Sequence, residues 1–340
     1  MNLRFPAQSL PSLASQVLDN TPLRIIDVGA RGGLQDEWTP FFDVVEWVGF
    51  DADPEESERL NSIFRADSKN CQVYPYAISG KRGKCTMHFA QFPDSSGIIE
   101  PNPKFLQRLY SVTQENLRTI KTIECESTTL DDFLEKENVQ PFDYLKIDVE
   151  GAEADVLEGA KESLKASNVL GVKTEVWFGP LKDATAFARM DTLLRQYGFH
   201  LFDLQSRKYP SATFPRGCFS PAGKLESTLA GQTLTGDAVY LKDPINDLAE
   251  GIIDNFQWND TTVTKMAIIY FVHGNFDCAI ELLEEYQNSH KTSMPIKEIK
   301  NALTPLLPDG KSISYEDYRN LTYKIRSQEL DMFSQLWVKK

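Results

Sequence analysis

The chain has 340 residues, 41% of them apolar, enough to bury a full core and leave room for a second, smaller unit. Its formal charge of −13 and the lack of any basic stripe speak against a nucleic-acid partner, though an acidic surface tolerates a cationic ligand. The longest apolar run, MAIIYFV at Met266–Val272, falls far short of the roughly 20 residues of a membrane span.

The N-terminal MNLRFPAQSLPSLASQ has no continuous apolar stretch and does not read as a signal peptide. Residues 1–22 are expected to form a helical or extended lead-in. RIIDVG, ending at Gly29, predicts a first buried strand, and VVEWVGFDAD (Val44–Asp53) ends in a second. CQVYPYAIS (Cys71–Ser79) predicts a third, and KCTMHFAQF (Lys84–Phe92) an additional strand with period-2 character. The stretch from Phe92 to about Ile123 is less regular: a Pro/Ser/Gly-rich loop, PDSSGIIEPNPKF, then a helical piece near Phe105–Leu117. FDYLKIDV and VLGVKTEVWF are strong strands. Between them Ala152, Val156, Leu157, Ala160 and Leu164 recur at helical spacing. DATAFARMDTLLRQYGF predicts an amphipathic helix stopped near Gly198, and HLFDLQ and TGDAVYLKD supply two last strands. Strands alternating with helices of this length imply an α/β fold, a mostly parallel sheet with helices on both faces, over residues 23–243.

After Asp243-Pro244 the pattern becomes all-helical, and residues 244–340 read as a C-terminal helical appendage. Asp260 or Thr261 can cap its first helix, Gly274 can stop it, and Ser314 with Asp317 resembles a capping box. The appendage carries no catalytic-looking cluster, so it is expected to serve dimerisation or a protein partner. The five cysteines, Cys71, Cys85, Cys125, Cys218 and Cys278, are odd in number and lack CxxC spacing. That argues against a disulfide framework or a zinc site and fits a cytoplasmic protein.

The glycine turn after the first strand, Gly29-Ala30-Arg31-Gly32-Gly33, departs from the G-x-G-x-x-G of nicotinamide enzymes, because its glycines fall in the wrong places. A nucleoside with a zwitterionic amino-acid tail suits it better: Asp27 can face an ammonium while the glycines let backbone approach. Asp51 follows 24 residues later, where a carboxylate can accept both ribose hydroxyls. Asp53, ahead of Pro54 and a helix start, reads more as an N-cap. DYLKIDVEGAEADVLEGA then places Lys146, Asp148, Glu150 and Glu153 at a strand end and the helix start beyond it. Glu153 can serve the helix dipole alone. Asp148 closes a buried strand at its carboxyl edge, where open α/β sheets bind ligands.

The segments IIDVGARGG, VGFDADP, YAISGKRG, DSSG, TTLDDF, DYLKIDVEGAEADVLEGA and KTEVWF occur in the order seen in FkbM-type methyltransferases, and KIDVEGAE is the most specific of them. The chain therefore resembles these class I, S-adenosylmethionine-dependent O-methyltransferases from about Arg24 to Asp243. The resemblance implies a Rossmann-like, seven-stranded sheet with its last strand antiparallel. It also implies S-adenosylmethionine at Asp27, Gly29, Ala30, Arg31, Gly33 and Asp51, with the adenine near Ala77 and Ile78. Arg31 stands where the family most often has Asn, and Asp51-Ala52 where it often has Glu-Pro.

Methyl transfer to oxygen needs the acceptor positioned, water excluded and a proton accepted. Candidates for the proton are Asp148, Glu150, Glu175 and His88, with His200 reading as structural. Asp148 and Glu175 could also bridge a divalent cation, although none is expected. Trp177, Phe178, Phe89 and Phe92 could line an acceptor pocket or belong to the core. The expected acceptor is a small molecule or glycan, with a sugar hydroxyl or glycosylated natural product leading. The alternatives are a non-catalytic S-adenosylmethionine-binding scaffold and a nicotinamide-dependent sugar-modifying enzyme.

Overall fold

The computed structural model describes residues 4–6, 9–67, 71–165, 168–213, 218–219, 225–226, 231–252 and 256–337. Residues 1–3 and 7–8 of the N-terminal segment and 338–340 of the helical tail lie outside them. The chain divides into two compact units. One comprises Leu23–Thr39 and Val45–Phe256, the other Met1–Pro22, Pro40–Val44 and Gln257–Lys340.

The first unit is built on a seven-stranded sheet. Strands β1 (Leu23–Val28), β2 (Val45–Phe50) and β3 (Cys71–Tyr74) form one half, in the order β3-β2-β1. Two further strands belong to a smaller sheet, β4 (Ala77–Ile78) and β5 (Gly83–Ala90). The same sheet contains β6 (Thr119–Thr128), giving the order β4-β6-β5. The main sheet then continues from β1 through β7 (Tyr144–Ile147) and β8 (Gly171–Trp177). It closes with β9 (His200–Tyr209) at the edge. After a two-residue ladder, β10 (Cys218–Phe219) with β11 (Leu225–Glu226), the chain inserts β12 (Gln232–Leu241) between β8 and β9. β12 runs antiparallel to both neighbours, whereas the β1–β2, β2–β3, β1–β7 and β7–β8 pairs are parallel. This is the expected sheet. β7 is buried at every position and β1 at all but Arg24, as parallel strands covered on both faces should be.

Several expectations need correction. The stretch Cys71–Ser79 is not one strand: β3 ends at Tyr74, and Ala77–Ile78 pairs instead with Ser127–Thr128. Pro75 has no N–H to continue the ladder, so the chain leaves one sheet there and joins another. Strand β6 was not anticipated, because most of its residues are exposed or half-exposed and give no apolar signal. The helical piece near Phe105–Leu117 is two short helices, α3 (Pro103–Leu106) and α4 (Ser111–Asn116), the first capped by the Asn102 side chain. The helix after β7 is likewise split, into α6 (Glu153–Glu158) and α7 (Lys161–Lys165). Gly159 sits at the break, where a Cβ would lie 2.4 Å from the Ser79 carbonyl oxygen. Asp131 caps α7, accepting the N–H groups of Glu162 and Ser163 at 2.8 and 3.0 Å.

In the second unit, α1 (Ser9–Leu18) packs on α10 (Asp260–Val272) and α12 (Ile296–Ala302), with α11 (Phe276–Ser289) beside them. Every residue from Val263 to Tyr270 is buried, so α10 is the central helix of the group. Its cap is Asn259, whose side chain accepts the Thr262 N–H at 2.9 Å, and not Asp260 or Thr261. The Asp260 carboxylate accepts the hydroxyls of Tyr286 and Thr292 instead. Gly274 ends the helix at φ +78°, and the Ser314 hydroxyl accepts the Asp317 N–H as a capping box requires. Among the described residues no helix is long and apolar enough to cross a membrane.

Candidate active site

A cleft of about 200 Å³ opens at the carboxyl ends of β1, β2 and β7. Phe50, Ala77, Ile78 and Met87 give it an apolar side. Asp51, Arg31, Lys146 and Asp148 give it a charged one. Of the expected cofactor residues, Gly29, Arg31, Asp51, Ala77 and Ile78 line the cleft together. Ala30 is fully buried, its Cβ meeting Gly49, and Gly33 packs against the Phe64 ring. These two shape the turn from behind.

Asp51 is only 6% exposed at the end of β2, and its Oδ1 accepts the Asp53 N–H at 2.8 Å. Burial pushes its carboxyl up to about 6, against the pull of that hydrogen bond and of Arg31. The Arg31 guanidinium lies 3.8 Å from Asp51 Oδ2 and donates to Asp53 Oδ2 at 2.9 Å. Asp53 also accepts the Glu55 N–H at 3.1 Å, so it does cap the following helix, α2 (Pro54–Asp67), as expected.

Asp27 is placed differently from the expectation. It lies beneath the cleft, 2% exposed, with Oδ1 3.0 Å from Lys146 Nζ and Oδ2 accepting the Trp47 indole N–H at 3.3 Å. The two are register partners on β1 and β7, so Lys146 takes the place facing Asp27 that was assigned to a ligand ammonium. Lys146 also donates to the Gly29 carbonyl at 2.6 Å. Gly29 itself has φ +85°, and a Cβ there would sit 1.8 Å from the Asp148 carbonyl oxygen. Only glycine allows the turn after β1 to press so closely on the turn after β7.

Asp148, Glu150 and Glu175 come together. One carboxylate oxygen from each lies within 4.8 Å of the others. Asp148 is on the β7 turn and Glu175 on the neighbouring strand β8. Glu150 adopts φ +60°, uncommon for a residue with a side chain, and Gly151 follows at φ +108°. Fully buried Glu153 holds that turn, accepting the Val149 and Gly151 N–H groups at 3.1 and 2.9 Å. Burial pushes Glu150 up to about 8 and Glu153 to about 7. It also drives Glu175 well above the carboxylate range, reinforced by the charges of Glu150 and Asp148. Glu175 Oε1 accepts from Arg207 at 3.2 Å, while its Oε2 is buried with no hydrogen-bond partner among the described residues.

His88 pairs through its backbone with Gly97, and a Cβ on Gly97 would come within 2.7 Å of the Val149 carbonyl oxygen. The loop Pro93–Ile98 therefore sits against the β7 turn and borders the cleft. Met87, not His88, supplies the β5 side chain that lines it. His200 faces Asp247 at 3.3 Å, in keeping with a structural role. Trp177 is 2% exposed in the core, Phe178 packs on Phe187 at 5.0 Å, Phe89 lies under Lys121, and Phe92 is half exposed. Lys146 as the partner of Asp27, and the contributions of Tyr76, Met87 and Ser96 to the cleft, were missed by sequence reasoning. The KIDVEGAE motif held the signal for Lys146, one residue before Ile147.

The donor set fits S-adenosylmethionine. It offers an apolar slot, a buried carboxylate whose Oδ2 lies 3.8 Å from Arg31, and a guanidinium and a carboxylate lining the charged side. Solved structures similar to this chain include methyltransferase FkbM from Methylobacillus flagellatus KT, at 11% identity and TM-score 0.37, covering 65% of this chain and 43% of that one. They also include precorrin-6y C5,15-methyltransferase from Geobacter metallireducens, at 8% identity and TM-score 0.35, covering 68% and 87%. A third is magnesium protoporphyrin IX methyltransferase from Synechocystis PCC 6803 with bound S-adenosylmethionine, at 9% identity and TM-score 0.31, covering 69% and 79%. The chain thus spans less than half the length of the first of these. No curated protein matches it. The family model of the methyltransferase FkbM domain matches residues 27–201, just over half of the chain, which belongs to the FkbM family of S-adenosylmethionine-dependent methyltransferases.

Proposed function

We propose that the protein is an O-methyltransferase acting on a hydroxyl of a sugar, glycan or glycosylated natural product. The observation that carries this reading is the gathering of Asp148, Glu150 and Glu175 beside the cleft, Asp148 lining it directly. Carboxylates clustered in this way hydrogen-bond polyols and accept a hydroxyl proton. Asp51 would take the ribose hydroxyls, Arg31 the tail carboxylate, Asp148 the cationic end, and Phe50, Ala77, Ile78 and Met87 the adenine. Bound there, the cofactor supplies a methyl group already activated on a sulfonium. The chain then has to align the acceptor oxygen, exclude water with the Pro93–Ile98 loop, and take the proton on one carboxylate of the cluster.

The proximity of the three carboxylates favours a second reading of the same step, in which they hold a divalent cation that lowers the acceptor hydroxyl's pKa. Calorimetric titration with Mg²⁺ or Mn²⁺ separates the two. The test of the function itself is mass spectrometry of a nucleotide-sugar and glycan panel incubated with S-adenosylmethionine. A gain of one methyl on a hydroxyl supports the proposal. Binding of S-adenosylhomocysteine without turnover on any hydroxyl acceptor would point to a scaffold instead.

A further inference from the structure

Cys85 on β5 and Cys125 on β6 stand directly opposite each other in the antiparallel register of the smaller sheet. Their Sγ atoms are 3.1 Å apart, both half-buried, and each thiol also faces the other residue's carbonyl oxygen at 3.7–3.8 Å. They lie 40 positions apart in the chain, so spacing alone gives no hint of the pair. A disulfide needs the sulfurs at about 2.05 Å, which side-chain rotation of a few tenths of an ångström on each strand can supply with little backbone movement.

We propose that Cys85 and Cys125 form a redox-active dithiol that closes to an intramolecular disulfide in a glutathione-type oxidising buffer. One of the two sulfurs, as its thiolate, attacks glutathione disulfide, forming a mixed disulfide and releasing one glutathione thiolate. The other protein sulfur then attacks the sulfur so linked and releases the second glutathione. Two protein thiols are oxidised, one glutathione disulfide is reduced to two thiols, and the two protons leave with them. Burial and the neighbouring Cys85 push the Cys125 thiol up to about 12. The bond ties β5 to β6. That sheet brings Met87 on β5 and, through β6, Ala77–Ile78 of β4 to the apolar side of the cleft. The tie would stiffen that wall without touching the charged side.

The test is equilibration of the full chain in glutathione buffers of rising oxidised fraction, followed by acid quench, alkylation and mass mapping of a non-reducing digest. Cys85 and Cys125 should lose alkylation together, with the intact mass falling by two hydrogens. The melting temperature should rise, and dithiothreitol should reverse all of it. Cys85→Ser should abolish the linked peptide and the redox dependence of melting, with Cys125→Ala as the equivalent variant should the first not fold. Both thiols staying alkylatable in the most oxidising buffer would overturn the proposal. So would mixed glutathione adducts alone, linkage to another cysteine, or a fall in melting temperature on closure.

Discussion

Lys146 Nζ sits 3.0 Å from Asp27 Oδ1, and the two residues are register partners on adjacent parallel strands, buried directly beneath the cleft. Burial works against the ammonium, yet the Asp27 and Asp148 carboxylates hold it above its ordinary range. Removing one partner of such a pair leaves the other as an uncompensated buried charge, at a cost of about 3–5 kcal/mol. Lys146→Met should therefore lower unfolding free energy by that order in urea titration. The double variant Asp27→Leu/Lys146→Met should recover much of the loss. A single variant as stable as wild type would mean that the pair contributes nothing.

Asp51 has a folded-state pKa of about 6 against an ordinary 3.8. The folded protein therefore binds the proton more tightly than the unfolded chain. The stability this represents is present below about pH 4 and is lost as pH climbs through 6. Asp51→Asn should make the protein more stable at pH 7.5, by about 3 kcal/mol, with the advantage vanishing at pH 4. Asp51→Ala should weaken S-adenosylhomocysteine binding by about 1.5–3 kcal/mol for each ribose hydrogen bond removed. Calorimetry reads the binding arm and denaturant titration the stability arm.

Asp148 makes its nearest ion-pair approach to Lys146 at 3.8 Å and is 46% exposed. The turn that follows it is held by Glu153 instead. Asp148→Asn should accordingly leave melting temperature almost unchanged and reduce turnover on the order of 10²-fold. Turnover within a few-fold of wild type would remove Asp148 from the chemistry.

Glu150, pushed up to about 8 chiefly by burial, gains its negative charge only as pH rises through that value. If it takes the acceptor's proton, turnover climbs on the alkaline side of neutrality and levels off above about pH 8. Glu150→Gln should flatten that limb. A variant keeping the wild-type profile would assign the limb to Glu175.

The main sheet was legible because β1, β7 and β8 are short segments rich in Val, Ile and Leu, almost wholly buried and bounded by turn residues. The carboxylate cluster was legible in part. Asp148 directly follows β7 and Glu175 lies near the end of β8, and the adjacency of the two strands brings them together. What local pattern could not carry is register. Asp27 reads as a ligand-facing residue until β1 and β7 are aligned and Lys146 falls opposite it. The smaller sheet was hidden for a related reason. Its strand β6 is largely exposed, so its pairing with β4 and β5 leaves no periodic trace.

The press of Gly29 against the Asp148 carbonyl fuses two turns at the edge of the cleft, one following β1 and one bearing Asp148. Neither can be re-angled without displacing the other, because no side-chain cushion separates them. Divergence toward new acceptors has little freedom on this chassis. It is cheaper in the bordering parts, the Pro93–Ile98 loop and the excursion between β5 and β6, which can lengthen, shorten or change chemistry while the fused turns keep Gly29 and Asp148 in fixed alignment.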